Sequence, residues 1–175
     1  MLEDKAARIK LLILDVDGVM TDGRIIMNDL GKETKHFDVK DGQGLKLLMK
    51  TGVEVVIISG RESTTVDYRA KDLGIDEVYQ GINDKEALCA LLLEKRGLKS
   101  DQVCCIGDDL PDIPIFNRIG FPVAVADAVR EVRDAACHVT KNRGGNGAVR
   151  EVCELILKAQ GAWPNIVSNF HGKGK

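Results

Sequence analysis

Two short acidic clusters carry the strongest chemical signal in the sequence. The first is Asp15-Val16-Asp17-Gly18, directly after the apolar run Leu11 to Leu14. The second is Gly107-Asp108-Asp109-Leu110-Pro111-Asp112, directly after Val103 to Ile106. An apolar run that ends in acids resembles a buried strand at the point where its carboxyl end emerges, which is where open α/β sheets bind ligands. A carboxylate placed there can act as a nucleophile, and a second one beside it can protonate a leaving oxygen. Three carboxylates within five residues repel one another, by up to about 4 kcal/mol per close pair in a partly screened site. Folding tolerates them when they are solvated, protonated or share a cation. A divalent ion shared with Asp15 and Asp17 resolves the conflict best, and an all-oxygen donor set favours Mg²⁺ over zinc. Either cluster taken alone could be ordinary turn chemistry.

Two further signals lie between the clusters. Ser59-Gly60-Arg61 closes the run EVVIIS, where a hydroxyl and free backbone N–H groups opening a helix can hold phosphate. Lys85 stands in the first turn of a helical pattern, where a cation opposes the helix dipole. Each is weak in isolation. Their order is what matters: acid pair, serine, lysine, acid cluster, each at the carboxyl end of a strand.

The elements needed to bring them together can be read from the pattern. Leu11 to Leu14, Val53 to Ile58, Val103 to Ile106 and Val123 to Ala126 are continuous apolar runs, as suits strands buried on both faces of a parallel sheet. Glu77 to Tyr79 and His138 to Thr140 supply shorter edge strands. Helices are expected over Gly42 to Lys50, Glu62 to Leu73, Asn83 to Arg96 and Asn146 to Gln160. Asn83 and Glu86 read as a capping box, and Leu88, Leu91, Leu92 and Lys95 fall at helical spacing. Val149, Val152, Cys153 and Ile156 share one face of the last helix. Strands alternating with helices imply βαβ units and a sheet covered on both sides. Arg24 to Phe37 breaks this rhythm and reads as a β-hairpin turning at Asp29-Leu30-Gly31. Residues 1–161 form one domain; 162–175, with Pro164 and little periodicity, read as a flexible tail anchored at most by Trp163 and Phe170.

Composition narrows the class. A net charge of −2 and 4% aromatic residues give no basis for nucleic-acid or anionic-membrane binding. The charged start MLEDKAARIK lacks the apolar stretch of a signal peptide, and no run reaches the ~18 residues of a membrane span. Five cysteines without a CxxC pair read as buried reduced thiols, and a cytoplasmic location follows. His36, His138 and His171 have no ligand spacing, and Gly144 to Gly147 reads as a helix-entry turn.

The assembled set resembles the haloacid dehalogenase superfamily of phosphohydrolases, with DVDG, Ser59, Lys85 and GDDLPD as its four motifs. The wording LLILDVDGVMTDG, FDVKDGQGL, ISGR, YQG followed by DK, VAVADA and GNGAVREVCELIL is similar to the 3-deoxy-D-manno-octulosonate 8-phosphate phosphatase family of lipopolysaccharide precursor synthesis. The resemblance implies that Asp15 attacks phosphorus and that Asp17 serves as acid and then base, with its carbonyl on the metal. It implies Ser59 and Gly60 on phosphate oxygens, Lys85 neutralising the phosphoaspartate, and Asp108 on Mg²⁺ supported by Asp109 and Asp112. Many relatives insert a lid domain. Here about thirty residues separate Gly23 from Val53 and 23 separate Arg61 from Lys85, so no lid fits. The expected architecture is an α/β, Rossmann-like three-layer sandwich with a mainly parallel sheet, a small projecting hairpin and no cap domain. The resemblance further implies a homotetramer packed through the hairpins, with a neighbour, or its tail from Ala162 to Lys175, covering each site.

Arg61 and Arg69 are candidates for a sugar-acid carboxylate, which arginine grips bidentately. Lys40-Asp41-Gly42 could touch substrate or only cap a helix. The alternatives are a phosphatase for a nine-carbon acid-sugar 9-phosphate and, in a different class, a receiver-type module that accepts phosphate as a signal.

Overall fold

The structure, a computed structural model, describes residues 1–171. Its strands are β1 (Leu11–Leu14), β2 (Ile26–Met27), β3 (Glu33–Thr34), β4 (Glu54–Ile58), β5 (Glu77–Tyr79), β6 (Val103–Gly107), β7 (Phe121–Ala124) and β8 (His138–Val139). Its helices are α1 (Leu2–Ala7), α2 (Val39–Met49), α3 (Thr64–Leu73), α4 (Lys85–Arg96), α5 (Ile113–Phe116), α6 (Arg130–Ala135), α7 (Ala148–Ala159) and α8 (Trp163–Phe170). Six strands form one sheet in the order β5-β4-β1-β6-β7-β8, and every pairing in it is parallel. The continuous apolar runs are explained by this burial: every residue of β1, β6 and β7 is buried.

Helices cover the sheet on both sides. α2 and α7 pack against each other, with α1 and α8 on α7 and α3 on α2, while α4, α5 and α6 form a second contacting set. The chain runs from β1 outward through β4 to β5, then crosses back to place β6 on the other side of β1. This reversal opens a crevice at the carboxyl ends of β1 and β6, the position at which such sheets bind ligands. Between β1 and β4 lie only a hairpin arm and α2, and between β4 and β5 only α3, so no cap domain is inserted in either segment.

Several boundaries differ from the sequence expectation. α2 starts before Gly42 because Asp38 caps it, accepting from the N–H groups of Lys40 and Asp41. The cap of α4 is Asp84, which accepts from Ala87 N, and not Asn83; Leu91 faces solvent. The hairpin ladder is only two residues on each side, and its turn falls at Asn28 to Gly31. Of the cysteines, all free, Cys137 is exposed and the other four are buried.

The tail expectation needs correction up to Phe170. Pro164, read as part of a flexible tail, sits in the first turn of α8, where a missing N–H has no consequence. Trp163 and Ile166 pack on the core, and Arg150 and Lys158 of α7 lie over the Trp163 ring at 5.4 and 5.2 Å. Residues 172–175 lie outside the described residues. No described helix is long and apolar enough to cross a membrane.

One buried carboxylate ties the α2–α7 pair together. Asp41 accepts from Arg150 N at 2.7 Å and Gly147 N at 3.3 Å, capping α7 from the neighbouring helix. Burial lifts its pKa from 3.8 to about 6, against those two donors, which favour the anion. An acid with a raised folded pKa holds its proton in the native state after the unfolded chain has released it. Its stabilising contribution is therefore complete below pH 3.8 and is lost as pH rises to about 6. The stability difference between the wild type and Asp41→Asn, measured by urea unfolding, is expected to fall by up to about 3 kcal/mol between pH 4 and pH 7. A difference independent of pH would show that the two donors balance burial, and one that rises with pH would show that they outweigh it.

Candidate active site

The site is built from strand ends. Asp15 directly follows β1, and its N–H still donates to Ile106 O of β6 at 3.3 Å, fixing it to the sheet. Its carboxylate is buried and accepts from Lys85 Nζ at 2.6 Å. Lys85 opens α4 and reaches across to donate to Asp112 Oδ1 as well, at 2.7 Å. The second oxygen of Asp112 accepts from Asp108 N at 3.0 Å, closing the turn after β6. Asp109 accepts from Leu110 N at 2.8 Å and stays on the rim.

The loop after β1 needs glycine for close approach. Gly18 has φ +93°, and a Cβ there would stand 2.0 Å from Asp108 Oδ2. The second acidic cluster therefore rests on the backbone of the first. On its other side, a Cβ on Gly144 would meet Gly18 O at 1.7 Å, so the turn before α7 also seats against this loop.

The charges do not balance. Carboxylate oxygens of Asp15, Asp108 and Asp112 lie within 4.8 Å of one another, with Lys85 as the cation bonded to two of them. Burial and then repulsion by Asp112 lift the Asp15 pKa to about 7, in spite of Lys85. Burial and then Asp15, Asp112 and Asp109 lift that of Asp108 to about 8. Burial works against the charge on Lys85, but Asp15 and Asp112 outweigh it and hold the ammonium firmly protonated. Both oxygens of Asp112 are engaged by Lys85 and by backbone N–H, which leaves Asp15 and Asp108 as the donors able to hold a metal. An all-oxygen pair of this kind fits a hard divalent cation.

A cavity of about 310 Å³ opens above these groups, lined by Asp15, Asp17, Ser59, Gly60, Arg61, Lys85, Asp108, Asp109 and Asp112, among others. The structure thus brings together every site residue expected from the sequence except Arg69. Ser59 follows β4, is buried, and its Oγ accepts from Arg61 N at 3.2 Å. The Asp17 carboxylate is turned toward Lys35 and Arg61, so any metal contact from Asp17 falls to its carbonyl. Arg61 donates to Glu33 at 2.7 Å, and its Nη1 is buried without a partner. Arg69 does not line the cavity of its own chain. Asp72 and Asp38 O hold it at 2.8 and 3.3 Å, beside the Phe37 ring. Sequence reading missed Lys35 and Glu33, although spacing i and i+2 in a strand puts two side chains on one face.

Comparison with known proteins shows the family of the chain. Residues 77–152 match the haloacid dehalogenase-like hydrolase family model. The chain is 47% identical over 157 residues to the 3-deoxy-D-manno-octulosonate 8-phosphate phosphatase KdsC of Escherichia coli K12, covering 90% of this chain and 84% of the relative. It is 48% identical over 156 residues to KdsC of Yersinia pestis, covering 89% and 83%. The crystal structure of 3-deoxy-D-manno-octulosonate 8-phosphate phosphatase from Moraxella catarrhalis, in complex with a magnesium ion, a phosphate ion and KDO, superposes with a TM-score of 0.94. The two are 45% identical, with 97% of each chain covered.

The charge imbalance makes a prediction for stability. Without metal, Asp108→Asn relieves repulsion and is expected to raise Tm by about 2–4 °C, the equivalent of ~1 kcal/mol in a chain of this size. Adding Mg²⁺ should raise Tm in the wild type and barely move it in Asp108→Asn. Thermal scans with and without Mg²⁺ check both halves.

Proposed function

The chain belongs to the haloacid dehalogenase-like hydrolases, within the 3-deoxy-D-manno-octulosonate 8-phosphate phosphatase family, and we propose that it hydrolyses that sugar-acid phosphate through a phosphoaspartyl intermediate on Asp15. The observation that carries this reading is the Asp15 carboxylate at the floor of the cavity, held by Lys85 and faced by Ser59, Gly60 and Asp108.

Asp15 attacks phosphorus as the bond to the sugar oxygen breaks, and Asp17 gives that oxygen a proton. Asp17 then takes a proton from water, whose oxygen attacks phosphorus and releases Asp15. Ser59 Oγ and the Gly60 N–H hold phosphate oxygens, while Lys85 offsets charge as it gathers on the aspartyl phosphate. Asp15, Asp108 and the Asp17 carbonyl would hold Mg²⁺, with Asp109 and Asp112 supporting them. When bound, the ion supplies neutralisation of the carboxylates and of the incoming phosphate. Arg61 lines the cavity beside Asp17 and is placed to bind the sugar-acid carboxylate. The same residue bears on the alternative substrate, a nine-carbon acid-sugar 9-phosphate, because only the pocket around the sugar separates the two.

We place the enzyme in the cytoplasm, in lipopolysaccharide precursor synthesis, as a homotetramer. The hairpin arm exposes Ile25, Ile26, Met27 and Leu30, an apolar set without cover in the single chain.

Phosphate release with Mg²⁺ should be faster from 3-deoxy-D-manno-octulosonate 8-phosphate than from the nine-carbon 9-phosphate. Asp15→Asn should lose at least about 10³-fold in kcat, and Asp17→Asn about 10²- to 10⁴-fold. Full activity in Asp15→Asn would remove the mechanism, and preference for the longer sugar would reassign the substrate. Native mass spectrometry should show four chains; a monomer would refute the assembly.

A further inference from the structure

Lys35 follows β3 in the hairpin arm, and its side chain is only 1% exposed. A lysine this deeply enclosed is tolerated only when its charge is answered. Two carboxylates answer it: its ammonium donates to Asp17 Oδ1 and lies 3.5 Å from Glu33 Oε1. Glu33 Oε1 also accepts from Arg61 Nη2, while Arg61 Nη1 stands 3.9 Å from Asp17 Oδ2. Four charged groups from three segments thus form a closed ring: Lys35 and Glu33 from the hairpin arm, Asp17 from the loop after β1, and Arg61 from the turn after β4.

We infer that Lys35 is a positioning residue for the proton transfer at Asp17. The inference rests on the acid–base role given to Asp17 above. Asp17 stands on a loop and its side chain is 20% exposed, so nothing in its own element fixes the direction of its carboxylate. General-acid transfer needs the donor oxygen within hydrogen-bond reach of the leaving oxygen, and a displacement of about 1 Å is enough to lose much of the rate. Lys35 occupies Oδ1. The exchanged proton is left to Oδ2, the oxygen nearer Arg61, a residue that lines the cavity. In the transfer, the proton passes from Oδ2 to the sugar oxygen as the phosphorus–oxygen bond to the sugar breaks and the bond to Asp15 forms. Asp17 is then an anion close to other acids, and the Lys35 ammonium faces that anion directly.

The leaving group separates this role from a structural one. Departure of 4-nitrophenolate needs no proton, whereas departure of a sugar alkoxide does. Because kcat/KM reports steps only up to the first irreversible one, it reads the acid half alone. Wild type, Lys35→Met, Lys35→Arg and Asp17→Asn are compared with Mg²⁺ on 3-deoxy-D-manno-octulosonate 8-phosphate and on 4-nitrophenyl phosphate. Lys35→Met is expected to lose at least about tenfold in kcat/KM on the sugar phosphate and to stay within about threefold on the aryl phosphate. Lys35→Arg should recover part of the loss, and Asp17→Asn should show the same selectivity, larger. Equal losses on both substrates, or no loss on either while Asp17→Asn is selectively impaired, would overturn the role of Lys35 and leave that of Asp17 standing. Full activity of Asp17→Asn on the sugar phosphate would instead remove the reading on which the inference depends. If Lys35→Met fails to fold, Lys35→Gln is read in the same way.

Discussion

One lysine set against three carboxylates at the carboxyl ends of β1 and β6 is the interaction on which the rest of the structure depends. Lys85 bonds Asp15 and Asp112 directly, yet Asp108 stands in the same cluster without a cation of its own. A cluster of this composition is costly to bury and gains nothing for stability. The proposed function gives it a use, since it would take a divalent ion and a phosphate together. The fold supplies what this requires: a parallel sheet with buried central strands whose ends point the acids at one crevice, and an enclosed ammonium between them.

Precision comes from backbone contacts more than from side chains. The Asp108 carboxylate lies against Gly18, and the turn containing Gly144 presses on the same loop from the other side. That turn leads into α7, whose first N–H groups are capped by Asp41 of α2. α2 in turn follows the hairpin arm and is capped by Asp38. The loop that begins at Asp15 is thus braced by the helix pair that covers one face of the sheet. Through Lys35 and Glu33, the hairpin arm reaches the same loop from above.

What the sequence disclosed, it disclosed through local pattern. β1, β4 and β6 were legible because a strand buried on both faces is a continuous apolar run, and Asp15, Ser59 and Asp108 because they stand where those runs stop. Lys85 was legible because a cation in a first helical turn is locally unfavourable. Pairing across distance was not legible. Nothing near Lys35 announces that its ammonium meets Asp17, eighteen positions away, and nothing near Asp41 announces the N-terminus of α7. α8 was hidden by Pro164, whose meaning changes from breaker to starter with its place in the turn. Arg69 had the right chemistry for a carboxylate, but its helix holds it against Phe37 and Asp38, away from the cavity.

The hairpin arm gives the fold its economy. No lid domain stands between β1 and β5; Gly23 and Ile25 at the start of the arm line the cavity, and its tip exposes Ile26, Met27 and Leu30. Every part of this depends on the carboxylates sharing a cation. The most direct measurement is a crystal structure grown with Mg²⁺ and phosphate. The ion should lie between Asp15 and Asp108, with oxygen ligands at about 2.1 Å in octahedral geometry and Lys85 still bonded to Asp15 and Asp112. An ion bound elsewhere, or Asp15 and Asp108 turned apart with none between them, would contradict the account.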